Sequence, residues 1–101
     1  MKEKIQKIAD YYKLQHQLNK LNEELVELLQ ANQDYSLKLS LSDDEITMNH
    51  LVEEMADVSI MIEQLVYLLE AEELFKTIRE LKVNRQIGRI AEERKLKNEM
   101  S

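Results

Sequence analysis

The chain has no proline and a single glycine, Gly88, in 101 residues. Proline and glycine are the residues that most often stop helices and make tight turns. A chain almost without them favours a few long helices joined by short links over many short strands. Hydrophobic residues, at 44 %, are enough for a packed core, and charged residues, at 34 %, suit exposed helix faces. A single helical domain over residues 1–101 is expected. A helical chain this short often completes its core by oligomerising.

Apolar spacing places the helices. Ile5, Ile8, Ala9 and Tyr12 share one face of a helix over about 2–12. The stretch Tyr11-Tyr12-Lys13 either bends that helix or carries it on. Leu14, Leu18, Leu21, Leu25 and Leu28 recur at spacings of four and three, which predicts a second helix from about Leu14 to Ala31. Between 32 and 42, Leu37, Leu39 and Leu41 alternate with Lys38 and Ser40. A lone segment of period two cannot make a sheet, so an extended loop laid on the helices is expected. Ser42 and Glu45 have capping-box spacing and predict a third helix, running to about Leu69. Its main stripe is Leu51, Met55, Val58, Ile62, Leu65 and Leu69, and Ala56, Ile60 and Tyr67 add apolar surface elsewhere. A helix apolar on two faces is expected at the centre of the fold. The fourth helix begins near Glu72. Its stripes, Leu74-Ile78-Leu81 and Val83-Ile87-Ile90, are out of phase, which predicts a kink near Lys82 or a passage between neighbours. The polar stretch after about Glu93 is expected to fray.

Charge and composition exclude several classes. The formal net charge is −6, which argues against duplex nucleic acid and against an anionic membrane surface as partners. There is no cysteine, so disulfides, zinc thiolates and iron–sulfur clusters are excluded. The N-terminus lacks the apolar run of a signal peptide, and no stretch approaches the roughly 20 apolar residues of a membrane span. A cytoplasmic protein is expected.

Two segments resemble each other. Leu21-Asn-Glu23-Glu24-Leu25-Val-Glu27 aligns with Leu51-Val-Glu53-Glu54-Met55-Ala-Asp57. In each, an acidic pair is followed three residues later by another carboxylate. Residues three apart face the same way, so Glu24 converges with Glu27, and Glu54 with Asp57. Glu24 lies roughly 60° around its helix from Leu21, and Glu54 likewise from Leu51, at the edge of an apolar seam. If the two seams face each other, four carboxylates meet in one cleft and repel. A hard divalent cation relieves that repulsion; all-oxygen ligands select magnesium, with manganese as a substitute. One such motif alone is ordinary surface charge; two copies beside two seams are less ordinary. Neither His16 nor His50 follows a glutamate by three residues, which weighs against a di-iron bundle. On the fourth helix, Arg79, Lys82, Arg85 and Arg89 form a basic row that could hold phosphate oxygens or simply face solvent.

Glu23-Glu24-x-x-Glu27, then 26 residues, then Glu54-x-x-Asp57, resembles the signature of the MazG-like all-α nucleotide pyrophosphohydrolases. The flanking text, Gln17-Leu-Asn-Lys-Leu-Asn before the first motif and Leu51-Val-Glu-Glu-Met-Ala-Asp-Val across the second, is similar too. The resemblance implies an all-α, four-helix core completed by oligomerisation into a homodimer or homotetramer. It implies magnesium held by Glu24, Glu27, Glu54 and Asp57 with help from Glu23. It implies hydrolysis of an NTP or dNTP between the α and β phosphates, with Lys82 and Arg85 on the phosphates. Base recognition is left unassigned, with His16, Gln17 and Asn19 as candidates. The rival expectations are a non-enzymatic helical interaction module and a regulator that binds nucleotides without hydrolysing them.

Overall fold

The computed structural model describes residues 1–39 and 45–100. Three helices account for them: α1 (Lys2–Leu39), α2 (Glu45–Leu68) and α3 (Glu72–Met100). The described residues contain no strand, so the chain is all-α, as its composition requires. Three helices are assigned among the described residues, and a four-helix core is not shown. The first two expected helices are both present as two helical stretches of α1, which meet at a kink at Lys13, where φ is 70° and ψ 170°; the second stretch runs on past Ala31 to Leu39. That backbone region is nearly reserved for glycine and costs a lysine about 1–3 kcal/mol. Of the two alternatives at Tyr11-Tyr12-Lys13, a bend or a continuing helix, the bend is the one the chain adopts, and the helix resumes beyond it.

Residues 32–39 correct a second expectation. They are helical, not extended. The alternating leucines there lose to the continuation of a helix already nucleated, since adding one residue to a helix is cheaper than starting anew. Leu41 and the capping residue Ser42 lie outside the described residues; Glu45, the other half of that capping box, opens α2. The helix α3 runs unbroken past Lys82 and stays helical through Met100. Its last ten residues, Ala-Glu-Glu-Arg-Lys-Leu-Lys-Asn-Glu-Met, are mostly strong helix formers, and Glu93 precedes Lys97 by the favourable four. The lone glycine, Gly88, marks no turn: it sits inside α3 with open space where a Cβ would stand.

The chain divides into two compact units, Met1–Glu70 and Ala71–Ser101. In the first, α1 and α2 pack as an antiparallel hairpin. The direction follows from the pairs that meet: Asp10 with Tyr67, Gln17 with Gln64, and Leu28 with Leu51 around one groove. The buried and half-buried positions keep a heptad rhythm. On α1 that rhythm runs through Leu14, Gln17, Leu21, Glu24, Leu28 and Ala31, and on α2 through Leu51, Glu54, Val58, Met61, Leu65 and Leu68, with Gln64 also buried beside the α2 row. Spacings of three and four keep such a row on one side of a helix, the arrangement of coiled-coil seams. The seam is narrower than the leucine stripes predict. Leu18 and Leu25, and likewise Met55, Ile62 and Leu69, remain exposed beside it. The expected central position of α2 is therefore realised on one face only. Val58, Met61 and Leu65 are its buried apolar side chains, each contributing about 1.5–3 kcal/mol. In the second unit, α3 buries no side chain.

Two polar ties fasten the hairpin. Gln17 and Gln64 are buried, and the Gln17 amide Nε2 donates to Gln64 Oε1 at 2.6 Å. At the far end, the Tyr67 hydroxyl donates to the Asp10 carboxylate at 2.9 and 3.0 Å. The second tie holds the segment before the Lys13 bend against the end of α2. Beyond α2, Glu70 takes φ 53° and its N–H donates to the Tyr67 carbonyl at 3.0 Å, a left-handed stop made without glycine.

Candidate metal centre

The two acidic motifs lie opposite one another on the hairpin. Because the heptad rows face each other, Glu24 of α1 and Glu54 of α2 occupy seam positions and not the seam's edge. Glu24 is only 8 % exposed, and Glu54 is half-buried. Glu27, one turn beyond Glu24, is exposed. One carboxylate oxygen from each of Glu24, Glu27 and Glu54 lies within 4.8 Å of the other two. Three of the four expected carboxylates thus converge. Asp57 sits on the same flank of α2, one turn beyond Glu54, but is exposed and outside that group of three.

The hydrogen bonding is unequal within the cluster. Glu24 Oε1 meets the Lys20 ammonium at 3.4 Å, and Glu54 Oε1 lies 4.0 Å from His50 Nε2. The other oxygens, Glu24 Oε2 and Glu54 Oε2, are buried without any hydrogen-bond donor. Buried polar atoms are rarely left so, and an anionic oxygen is the costliest kind to leave. Two carboxylates cannot satisfy each other, since both only accept. A hard cation between them satisfies both, and three oxygen donors within 4.8 Å form a suitable set for magnesium or manganese.

Lys20 is the one basic side chain at this cluster with a resolved shift. Hydrogen bonds to Glu23 and Glu24, at 3.3 and 3.4 Å, and their negative charge raise its pKa above the ordinary lysine value. It is exposed, so the pairing is a surface one. Glu23 is exposed as well and bridges to Lys20.

Lys20 and His50 were not among the residues singled out by motif. Their signal is nevertheless present: Lys20 precedes Glu24 by four, and His50 precedes Glu54 by four, so the internal repeat extends one turn further back. Gln64 was missed for a different reason. Nothing near it in sequence marks it, and only the pairing of the helices brings it to Gln17.

The remaining candidates fall elsewhere. Gln17, a candidate for base reading, is committed to Gln64 and also lies 2.7 Å from His16 Nδ1. His16 stacks on Tyr12 with ring centroids 4.6 Å apart, and both are exposed. Asn19 accepts from Gln15 at 3.4 Å on the surface. Lys82 and Arg85 are exposed on α3, in the second unit; the three-carboxylate group is built wholly within the first. Among the described residues, no helix is long and apolar enough to cross a membrane. No protein-family model, curated protein or solved structure matches the chain.

Proposed function

We propose that the chain is a MazG-like, magnesium-dependent nucleoside triphosphate pyrophosphohydrolase, with a four-helix core completed by a second copy. The observation that carries this reading is the pair of donor-less oxygens on Glu24 and Glu54, buried at facing seam positions with Glu27 beside them. A structural acidic pair would be expected to turn outward; these two are held inward by the packing of their own helices.

In this reading Glu24, Glu27 and Glu54 hold the cation, with Asp57 and Glu23 at its rim. A cation held there would supply neutralisation of phosphate charge and orientation of the triphosphate. Glu27, the exposed member, accepts the proton of a water whose oxygen attacks the α phosphorus. The bond from that phosphorus to the bridging oxygen breaks, and pyrophosphate leaves. A phosphate-cradling glycine loop of the kind that releases the terminal phosphate needs more than the one glycine present.

The test separates, by ion exchange, the products from each of eight ribo- and deoxyribonucleoside triphosphates with magnesium or manganese. A monophosphate and pyrophosphate are expected; diphosphate and inorganic phosphate as first products refute the mechanism. Asp57→Ala should lower turnover by about 100-fold or more, the upper scale for residues around a metal, while the helical circular dichroism stays unchanged because Asp57 is exposed. Absence of turnover with every nucleotide would leave a helical interaction module as the function.

A further inference from the structure

The kink at Lys13 stands where α2 runs out. Gln17 meets Gln64, so in an antiparallel hairpin Lys13 is level with Leu68, the last residue of α2. An unbroken α1 would carry residues 1–12 past that end, by about 18 Å at 1.5 Å per residue. It would also bury nothing there. The heptad row of Leu14 and Gln17, continued back, passes through Asp10, Lys7 and Glu3, all of them charged. Ile5 and Ala9 would point roughly 140–180° away from Leu14. The kinked chain does otherwise. It buries Ala9 completely, half-buries Ile5 and Gln6, and brings Asp10 to the Tyr67 hydroxyl.

We infer that residues 1–12 form a spring-loaded arm with two positions that exclude each other. In one, Lys13 is kinked and the arm is docked on the end of α2. In the other, Lys13 is helical and a straight α1 carries the arm clear of α2. The backbone favours the straight form. Lysine is a good helix former, and leaving a region nearly reserved for glycine returns a factor of about 5–150 in the equilibrium. The docked contacts favour the kinked form. They are the burial of Ala9, the half-burial of Ile5 and Gln6, and the clasp in which the Tyr67 hydroxyl donates to both Asp10 carboxylate oxygens, at 2.9 and 3.0 Å. Strain of this kind persists only while surrounding contacts hold it, so weakening those contacts releases the arm. Opening uncovers Ala9 and Ile5 and leaves the seam from Leu14 to Ala31 in place. Lys13 lies about 16 Å along α1 from Glu24, so the arm works the same way whatever the carboxylates bind.

The chain has no cysteine, so a single introduced thiol reports opening. Ala9→Cys places one in the docked arm. Ala31→Cys places a control further along α1, at a buried position that only unfolding of the hairpin uncovers. In the full chain, Ala9→Cys should react with a maleimide at least about tenfold faster than Ala31→Cys. Its rate should also depend less on urea, because arm opening exposes less surface than unfolding. Lys13→Gly relaxes the docked form and disfavours the straight helix, so it should slow the Ala9→Cys reaction at least about fivefold. Tyr67→Phe breaks the clasp and should speed it about fivefold. An Ala9→Cys rate no faster than that of Ala31→Cys overturns the inference, since the arm then opens only with the whole hairpin. So does a rate that Lys13→Gly leaves unchanged or raises, since no strain then drives the arm. Should Ala9→Cys fail to fold, spin labels on the exposed positions Lys4→Cys and Glu63→Cys replace it. A longer distance should appear in a fraction of molecules that grows with Tyr67→Phe and shrinks with Lys13→Gly. One distance, the same with and without each substitution, overturns the inference.

Discussion

Two polar pairs cross the same seam, seven residues apart on α1, and they are opposites. Gln17 and Gln64 satisfy each other, because an amide offers both a donor and an acceptor. Glu24 and Glu54 cannot, and each is left with a buried oxygen that nothing donates to. The first pair is a closed contact that ties the two helices together. The second pair is open, and what it lacks is a positive charge. Gln17, Gln64 and Glu24 are all buried, so burial alone does not distinguish a structural polar contact from a binding site. The balance of donors and acceptors does.

The largest effect should come from making the open pair resemble the closed one. Glu54→Gln puts an amide opposite Glu24, whose carboxylate can accept from it. The metal-free protein should hold its stability or gain some. A ligand at 100 times its dissociation constant adds about 2.7 kcal/mol, which for a domain of this size raises the melting temperature by roughly 10 °C or more. Thermal melts with and without magnesium should show that rise in the natural sequence and lose most of it in Glu54→Gln. An equal response in both would place the metal elsewhere.

Breaking the closed pair should do the reverse. Gln17→Ala strands the Gln64 amide in the seam and should cost about 1–3 kcal/mol, the penalty for an unsatisfied buried polar group. The magnesium response should survive, because Gln17 lies about 10 Å along the helix from Glu24. Replacing both glutamines by leucine should recover much of the loss in a denaturant titration, since no orphan remains. A Gln17→Ala protein that loses its magnesium response but not its stability would contradict the division between the two pairs.

The smallest effect concerns Lys20, which stands in for part of the missing charge. Its raised pKa means that its contribution is fully present below the ordinary lysine value and fades as pH climbs through the raised one. Lys20→Met should leave the repulsion at Glu24 less relieved, so the magnesium-induced rise in melting temperature should grow slightly near neutral pH. In the natural sequence the same growth should appear only on approaching the alkaline lysine range. A smaller magnesium response in Lys20→Met would show that Lys20 assists the cation and does not compete with it.

Much of this was legible in the residues alone. Scarcity of proline and glycine favoured long helices, and the doubled acidic motif grouped Glu24, Glu27, Glu54 and Asp57, of which the first three converge, because helical periodicity is local and converts spacing into direction. The leucine stripes were harder to read. Leu14, Leu21 and Leu28 enter the seam, whereas Leu18 and Leu25 do not. A stripe only says which side of a helix is apolar. Which edge of it is buried depends on the neighbour, and a hairpin offers each helix a single neighbour. That choice drew Gln17 and Glu24 inward, found Gln64 as a partner and left Asp57 outside the closest group. Helix content and the acidic spacing are properties of a few consecutive residues, so the chain determined them by itself. The seam and its open carboxylates are properties of two segments about 30 to 50 residues apart, and only their packing decided them.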